Sequence, residues 1–244
     1  MDFRKNKGKI IGSIICMVIV GFMVAFFGYM GNYYHASDPE VAVADSDTVK
    51  VVKTDNGYLF DGPGDDTALI FYPGAKVEAT AYAPLMKKLA AADIDCFLVE
   101  MPLRFAFFGI NRADAVLETY GADYSHWYMA GHSLGGVAAS DYVAKHEDCF
   151  EGLVLLASYT ATDLSGLDIK TMNVYGTEDG VLNREKLNDS YALMPENSRA
   201  FPIEGGNHAQ FGDYGIQKGD GEATISADEQ QKLTVEGVLD LIKK

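Results

Sequence analysis

Apolar and polar positions along residues 48–244 predict strands and helices in alternation. Short apolar runs predict strands near 48–53, 57–60, 67–72, 95–100, 125–130, 151–157, 170–175 and 199–203. Apolar residues at helical spacing predict helices near 78–92, 111–120, 133–146, 184–193 and 226–243. Such alternation is typical of a three-layer α/β domain whose mainly parallel sheet carries helices on both faces. The polar stretch 160–168 is too short to hold a helical lid, so we expect an open site.

The N-terminus follows a different pattern. Residues 10–30 are 21 consecutive positions without a charged side chain, and about 20 apolar residues are enough to cross a bilayer. Arg4, Lys5, Lys7 and Lys9 precede this run, and basic segments of this kind stay in the cytoplasm. A cleaved signal peptide also has a basic start, but its apolar region is usually about 7–15 residues long. The run therefore favours a retained, single-pass anchor.

These patterns predict four segments. We expect a basic cytoplasmic tail at 1–9, a transmembrane signal anchor at 10–30, a juxtamembrane linker at 31–47 and the α/β domain at 48–244. The α/β domain would lie outside the cell membrane.

Charge excludes one class of partner. The whole chain carries a net charge of −15, and four basic residues and one acid make residues 1–9 +3, which leaves −18 on residues 10–244. So acidic a domain is poorly suited to nucleic acid or to anionic lipid. We therefore expect no nucleic-acid partner, and membrane association only through the N-terminal helix.

The stretch Gly131-His132-Ser133-Leu134-Gly135 indicates chemistry, because this G-x-S-x-G lies between a predicted strand and a predicted helix. That context is a nucleophile elbow, in which a sharp turn exposes the serine hydroxyl above the sheet. Glycines suit the turn because they lack the Cβ that would collide with nearby backbone. The alternative is a Gly/Ser loop without chemistry, since the short pattern also arises by chance.

A serine nucleophile needs an imidazole that a carboxylate holds in one tautomer. Of the five histidines, only His208 comes late in the chain, in a glycine-containing loop after a predicted strand. Asp179, which follows the strand near 170–175, is the first choice for the carboxylate. Glu178 and Asp163 remain as alternatives, since aspartates in Gly-rich turns are often there for the turn alone.

The chain resembles the α/β-hydrolases, and among them the small dienelactone-hydrolase-like enzymes without a cap domain. The resemblance rests on the elbow, the run Gly205 to Tyr214 and shorter matches such as Phe71 to Val77, and it covers about residues 48–244. Dienelactone hydrolases proper use a cysteine nucleophile, whereas this chain has Ser133, so serine-esterase chemistry is implied instead of lactone cleavage.

The resemblance also implies an oxyanion hole and a reaction. Its two backbone N–H donors would belong to Leu134 and Ala75. The expected function is ester cleavage through an acyl-enzyme, with a small-molecule ester as substrate; the alternative is an inactive hydrolase-fold binding module at the cell surface. We also expect four side chains to line the substrate site, namely Lys76, Glu100, Phe105 and Phe108. No metal-ligand spacing and no phosphate-binding glycine loop is present, so neither a metal nor a cofactor is expected.

Overall fold

The computed structural model describes residues 3–243. These residues form two compact units, which divide between Tyr33 and Tyr34.

The first unit is a single helix, α1 (Phe3–Gly31). Within it, Ile11–Gly31 is a stretch of 21 residues that contains an 18-residue window with a mean hydropathy of 2.5. This stretch is long and apolar enough to cross a bilayer, and a signal sequence near an N-terminus has the same character.

The second unit is built on an eight-stranded sheet. Its strands are β1 (Lys50–Thr54), β2 (Gly57–Asp61), β3 (Thr67–Tyr72), β4 (Asp95–Val99), β5 (His126–His132), β6 (Gly152–Leu156), β7 (Lys170–Gly176) and β8 (Arg199–Ile203). The spatial order is β1-β2-β4-β3-β5-β6-β7-β8. Strand β2 pairs antiparallel with β1 and β4, and all other neighbours are parallel. The predicted mainly parallel sheet is confirmed.

Helices cover both faces of the sheet. They are α2 (Pro39–Ala42), α3 (Ala83–Ala90), α4 (Ala113–Tyr120), α5 (Leu134–Val143), α6 (Arg184–Ser190) and α7 (Ala227–Lys243). Successive side chains of β3 point to opposite faces, so Phe71 packs in one core with residues of α3 and α7, and Ile70 packs in another with residues of α4 and α5. Each large apolar side chain buried in this way contributes about 1.5–3 kcal/mol.

The helix predicted near 78–92 begins later as an α-helix. Ala79–Tyr82 is a 3-10 turn, and α3 starts at Ala83 with Pro84 in its first turn. Proline lacks an N–H and its ring clashes with the preceding turn, so it fits only the start of an α-helix. The proline therefore sets the beginning of α3.

From Tyr34 onward, the segment expected to be a linker is part of the second unit. Tyr34 forms a parallel bridge with Val77, in which the Tyr34 N–H donates to the Lys76 carbonyl at 2.7 Å and the Glu78 N–H donates to the Tyr34 carbonyl at 2.9 Å. Ala36 is buried, and its N–H donates to a Glu78 carboxylate oxygen at 3.1 Å. The folded unit thus includes residues well before β1.

These contacts predict different stabilities for two N-terminal deletions. Removal of residues 1–32 leaves the bridge intact, whereas removal of residues 1–36 deletes three hydrogen bonds to Lys76 and Glu78. At about 1 kcal/mol each, the longer deletion should lower the free energy of unfolding by roughly 3 kcal/mol. Urea unfolding followed by circular dichroism measures the difference. Equal midpoints for the two proteins would mean that this segment contributes nothing to the fold.

The turn between β5 and α5 lies against the end of β3. A Cβ at Gly135 would come within 2.3 Å of the carbonyl oxygens of both Tyr72 and Pro73. Backbone atoms cannot move aside as a flexible side chain can, so this close approach requires glycine.

We therefore predict that Gly135→Ala lowers the free energy of unfolding by about 3 kcal/mol or more. Helix propensity alone predicts the opposite effect, an increase of up to about 1 kcal/mol in the free energy of unfolding. Gly166→Ala is the matched control, because a Cβ there meets no atom within 4 Å, and it should change stability by less than about 0.5 kcal/mol. Thermal and urea unfolding of both variants provide the measurement, and a stabilised Gly135→Ala protein would contradict the contact.

Candidate active site

Ser133 occupies a strained position between β5 and α5, with φ 52° and ψ −125°. A left-handed φ of this kind costs a non-glycine residue about 1–3 kcal/mol and persists only where surrounding contacts enforce it. Here the Ser133 N–H donates to the Leu156 carbonyl at 2.9 Å, and the Ser158 hydroxyl donates to the Ser133 carbonyl at 2.6 Å. These bonds hold the sharp turn that the sequence predicts.

Asp179 and His208 form a buried pair. Asp179 lies in the loop after β7 and His208 in the loop after β8, and Oδ2 of the aspartate is 2.9 Å from Nδ1 of the histidine. Both side chains are almost completely buried. The other carboxylate oxygen, Oδ1, accepts from the N–H groups of Val181 and Leu182 at 2.8 and 2.7 Å. Three donors thus compensate for burying this carboxylate.

This pairing fixes the histidine tautomer. Because a carboxylate can only accept, Nδ1 of His208 must carry the proton, and Nε2 of the neutral ring then carries a lone pair. That Nε2 is buried and has no hydrogen-bond partner among residues 3–243. His208 and Ser133 line the same cavity, which measures 140 Å³. His208 can therefore accept a proton at Nε2, and it lines the same cavity as Ser133.

The two alternative acids lie elsewhere. Glu178 is exposed and accepts a hydrogen bond from the Thr177 hydroxyl. Asp163 is exposed and accepts from the backbone N–H and the hydroxyl of Ser165, which lowers the pKa of its carboxyl. The structure thus places Asp179, and neither alternative, against His208.

A second carboxylate, Asp220, joins the loops that carry the pair. Its oxygens accept from the N–H groups of Gly180, His208, Ala209 and Gly221 at 2.8–3.2 Å. Sequence reasoning missed this residue, because an aspartate between two glycines indicates only a turn.

Leu134 belongs to the elbow, and Ala75 belongs to the loop after β3 that approaches it. Leu134 is the first residue of α5, so its N–H has no partner within the helix and lies at the positive end of the helix dipole. Ala75 follows Pro73 and Gly74 in the loop after β3, which touches the elbow at Gly135. Neither N–H has a hydrogen-bond acceptor within the described part of the chain.

The cavity at Ser133 has a different lining from the expected one. It is lined by Ser133, Leu134, Val137, Ala157, Ser158, Tyr159, Val181, Leu182, Asn183 and His208. Residues 157–159 directly follow β6. Ligands bind at the carboxyl ends of parallel strands, so this position is the sequence feature that could have predicted their place in the cavity lining.

The four residues expected to line the substrate site lie outside this set. Glu100 lines a separate cavity of 260 Å³ and pairs with Lys53 at 3.4 Å. Phe108 is half-exposed on an open surface cleft, and the Phe105 ring packs against it at 5.9 Å. Lys76 is half-buried with a left-handed φ of 59°, and its N–H donates to the Arg104 carbonyl at 2.8 Å. The structure therefore does not bring them together with Ser133.

Across residues 3–243 no group of three or more His, Cys, Asp or Glu side chains could hold a metal ion.

Comparison with known proteins agrees with this architecture. The sequence profile of the Alpha/beta hydrolase family matches residues 68–232. No curated protein sequence matches the chain.

Several solved structures share the fold. Dienelactone hydrolase from Anabaena variabilis superposes with a TM-score of 0.57 at 14% identity, over 79% of this chain and 96% of that one. Carboxylesterase CesB from Bacillus subtilis gives a TM-score of 0.58 at 11% identity, over 84% and 94%. Est1E from Butyrivibrio proteoclasticus gives 0.57 at 15% identity, over 81% and 100%. These likenesses show the fold, and the family profile matches more than half of the chain. The chain therefore belongs to the alpha/beta hydrolase family.

Proposed function

We propose that this protein is a serine hydrolase that cleaves carboxylic esters through an acyl-enzyme. Ser133 is the nucleophile, His208 the general base and acid, and Asp179 the carboxylate that orients His208. One observation carries the proposal: the buried pair Asp179–His208 leaves Nε2 of the histidine without a hydrogen-bond partner, and His208 lines the same cavity as Ser133.

In the first half-reaction, the Ser133 hydroxyl oxygen attacks the ester carbonyl while His208 Nε2 takes its proton. Negative charge then develops on the carbonyl oxygen, where the N–H groups of Leu134 and Ala75 stabilise it by about 3–4 kcal/mol each. The imidazolium, stabilised by Asp179, returns the proton to the departing alcohol. Water attacks the acyl-enzyme in the same way and releases the acid.

Residues 10–30 act in this proposal as a membrane anchor. The basic residues at 1–9 keep the N-terminus in the cytoplasm, which places the hydrolase unit outside the cell membrane. The hydropathy and length of α1 support this arrangement.

The triad predicts a specific pattern of mutant rates. Ser133→Ala and His208→Ala should each lower kcat by roughly 10⁴–10⁶-fold, and the double variant should lose little more, because triad residues act as a unit. Asp179→Asn should lose less, yet at least about 10³-fold, because the wrong tautomer then forms. Steady-state hydrolysis of p-nitrophenyl butyrate gives these rates, with the exposed Asp163→Asn as control. Near-normal turnover by Asp179→Asn combined with an inactive Asp163 or Glu178 variant would make the acid assignment wrong.

A fluorophosphonate probe separates the enzyme from an inactive binding module. The wild-type protein should be labelled at Ser133, and Ser133→Ala should remain unlabelled, because only an activated serine reacts with the probe. A folded wild-type protein that takes up no probe would favour the binding module.

The cavity volume predicts short acyl groups. Its 140 Å³ compare with about 150 Å³ in an engineered cavity that takes up one benzene, so about six carbons fill it. Within this limit each added carbon should lower the activation free energy for kcat/KM by up to about 0.8 kcal/mol, and kcat/KM should fall beyond about eight carbons. A series of p-nitrophenyl esters from acetate to palmitate measures the profile.

Leu182→Ala should move this optimum to longer chains, because Leu182 lines the cavity. Leu117→Ala makes the same truncation on α4, outside the cavity lining, and should leave the optimum unchanged. A rate that keeps rising through palmitate, or that jumps at an oil–water interface, would instead indicate a lipase.

A further inference from the structure

His132 precedes the proposed nucleophile, and its side chain joins two loops of the site. The ring is buried, with Nδ1 2.8 Å from the Tyr82 hydroxyl and Nε2 3.1 Å from the backbone carbonyl of His208. The same Tyr82 hydroxyl lies 3.1 Å from the backbone N–H of Gly74. A continuous chain of hydrogen bonds therefore runs from the loop after β3, through Tyr82 and His132, to the loop after β8.

The chemistry of the partners fixes which atom donates in each of these hydrogen bonds. The His208 carbonyl can only accept, so Nε2 of His132 must carry the proton and Nδ1 must accept. The Gly74 N–H can only donate, so the Tyr82 oxygen accepts from it and directs its own proton to Nδ1 of His132. Each of these three hydrogen bonds thus has one possible direction.

Burial keeps both side chains in the required protonation states. Desolvation, together with the nearby His208, holds the pKa of His132 well below its usual range, so the ring stays neutral. Burial raises the pKa of the Tyr82 phenol, which therefore keeps the proton that it donates. The two histidine rings are only 4.5 Å apart, so a neutral His132 spares the His208 imidazolium a like charge.

The hydrogen-bonded residues are adjacent in sequence to groups of the proposed reaction, or belong to one of them. Gly74 precedes Ala75, His132 precedes Ser133, and the carbonyl belongs to His208 itself. The contact at Gly74 is also tight, since a Cβ there would lie 2.7 Å from Nδ1 of His132 and 2.8 Å from the Tyr82 oxygen. The oxyanion loop, the nucleophile and the base are thereby tied to one another.

We propose that Tyr82 and His132 are positioning residues, which hold the N–H of Ala75 and the imidazole of His208 at fixed places around Ser133. The proposal rests on the proposed hydrolase function. Neither side chain lines the cavity at Ser133, so both act through the backbone that they hold. Displacement by about 1 Å of a catalytic group can lower a rate by about 10²-fold.

Tyr82→Phe removes one hydroxyl and keeps the ring. We expect kcat to fall by about 10- to 100-fold while KM changes less than about threefold, because substrate contacts are unchanged. The Ki of an alkyl boronic acid, which forms a tetrahedral adduct on the serine, should rise by the same factor as KM/kcat. Rates are expressed per titrated active site, so loss of folded protein does not contribute.

Tyr214→Phe is the matched control. Its ring lies in the same aromatic cluster, 6.3 Å from the Tyr82 ring, but its hydroxyl bonds to Gln217 and not to the elbow. Its kcat and its boronic acid Ki should stay within about twofold of the wild-type values.

Two His132 variants test the two halves of the chain separately. His132→Asn keeps an acceptor near the Nδ1 position, which can bond Tyr82, but cannot reach His208. His132→Gln keeps a donor near the Nε2 position, which can bond the His208 carbonyl, but leaves Tyr82 without its acceptor. Each should lower kcat at least about 10-fold and raise the boronic acid Ki in proportion. They also decide the question if Tyr82→Phe does not fold.

The outcomes distinguish this proposal from the proposed function. A wild-type protein that neither hydrolyses esters nor takes up the probe overturns both. An active wild-type protein whose Tyr82 and His132 variants lose only thermal stability, with unchanged per-site kcat and boronic acid Ki, overturns the positioning role alone. Failure of all three variants to fold would make the chain a folding element and would also overturn it.

Discussion

A buried carboxylate governs the arrangement of the loops at the carboxyl edge of the sheet. Asp179 has almost no contact with water, so its charge must be met by donors from the protein itself. Two come from its own loop and the third is His208, 29 residues further along the chain. The loops after β7 and β8 must therefore meet closely, and Asp220 secures them through backbone N–H groups of both.

The elbow at Ser133 is held in place by strain-compensating hydrogen bonds and by close packing. The left-handed Ser133 is held by hydrogen bonds to Leu156 at the end of β6 and to Ser158, while Gly135 lets the end of β3 approach the turn. Tyr82 and His132 fill the space between these elements with a fully bonded polar chain. A neutral, satisfied network of this kind rigidifies a core, whereas one unmatched group in it would be costly.

Periodicity made most of the fold predictable, since strands buried on both faces and helices with one apolar face leave clear patterns in the sequence. The elbow was predictable because its two glycines and its serine fall within five consecutive residues. The roles of Asp220, Tyr82 and the bridge at Tyr34 were not predictable, because each involves a hydrogen bond to the backbone of another segment, and backbone partners leave no residue pattern. The position of Phe105 and Phe108 outside the cavity at Ser133 was not predictable either, because the segment around them folds into 3-10 turns whose direction apolar composition alone does not reveal.

The backbone at position 133 also limits which residues evolution can place there. With φ at 52°, a β-branched side chain would be crowded against its own backbone, so threonine is excluded although it carries the same hydroxyl. Cysteine has the unbranched shape of serine and needs no change of the turn. Enzymes that share this elbow can therefore evolve between a serine and a cysteine nucleophile, which differ by one atom, but cannot adopt the secondary alcohol of threonine.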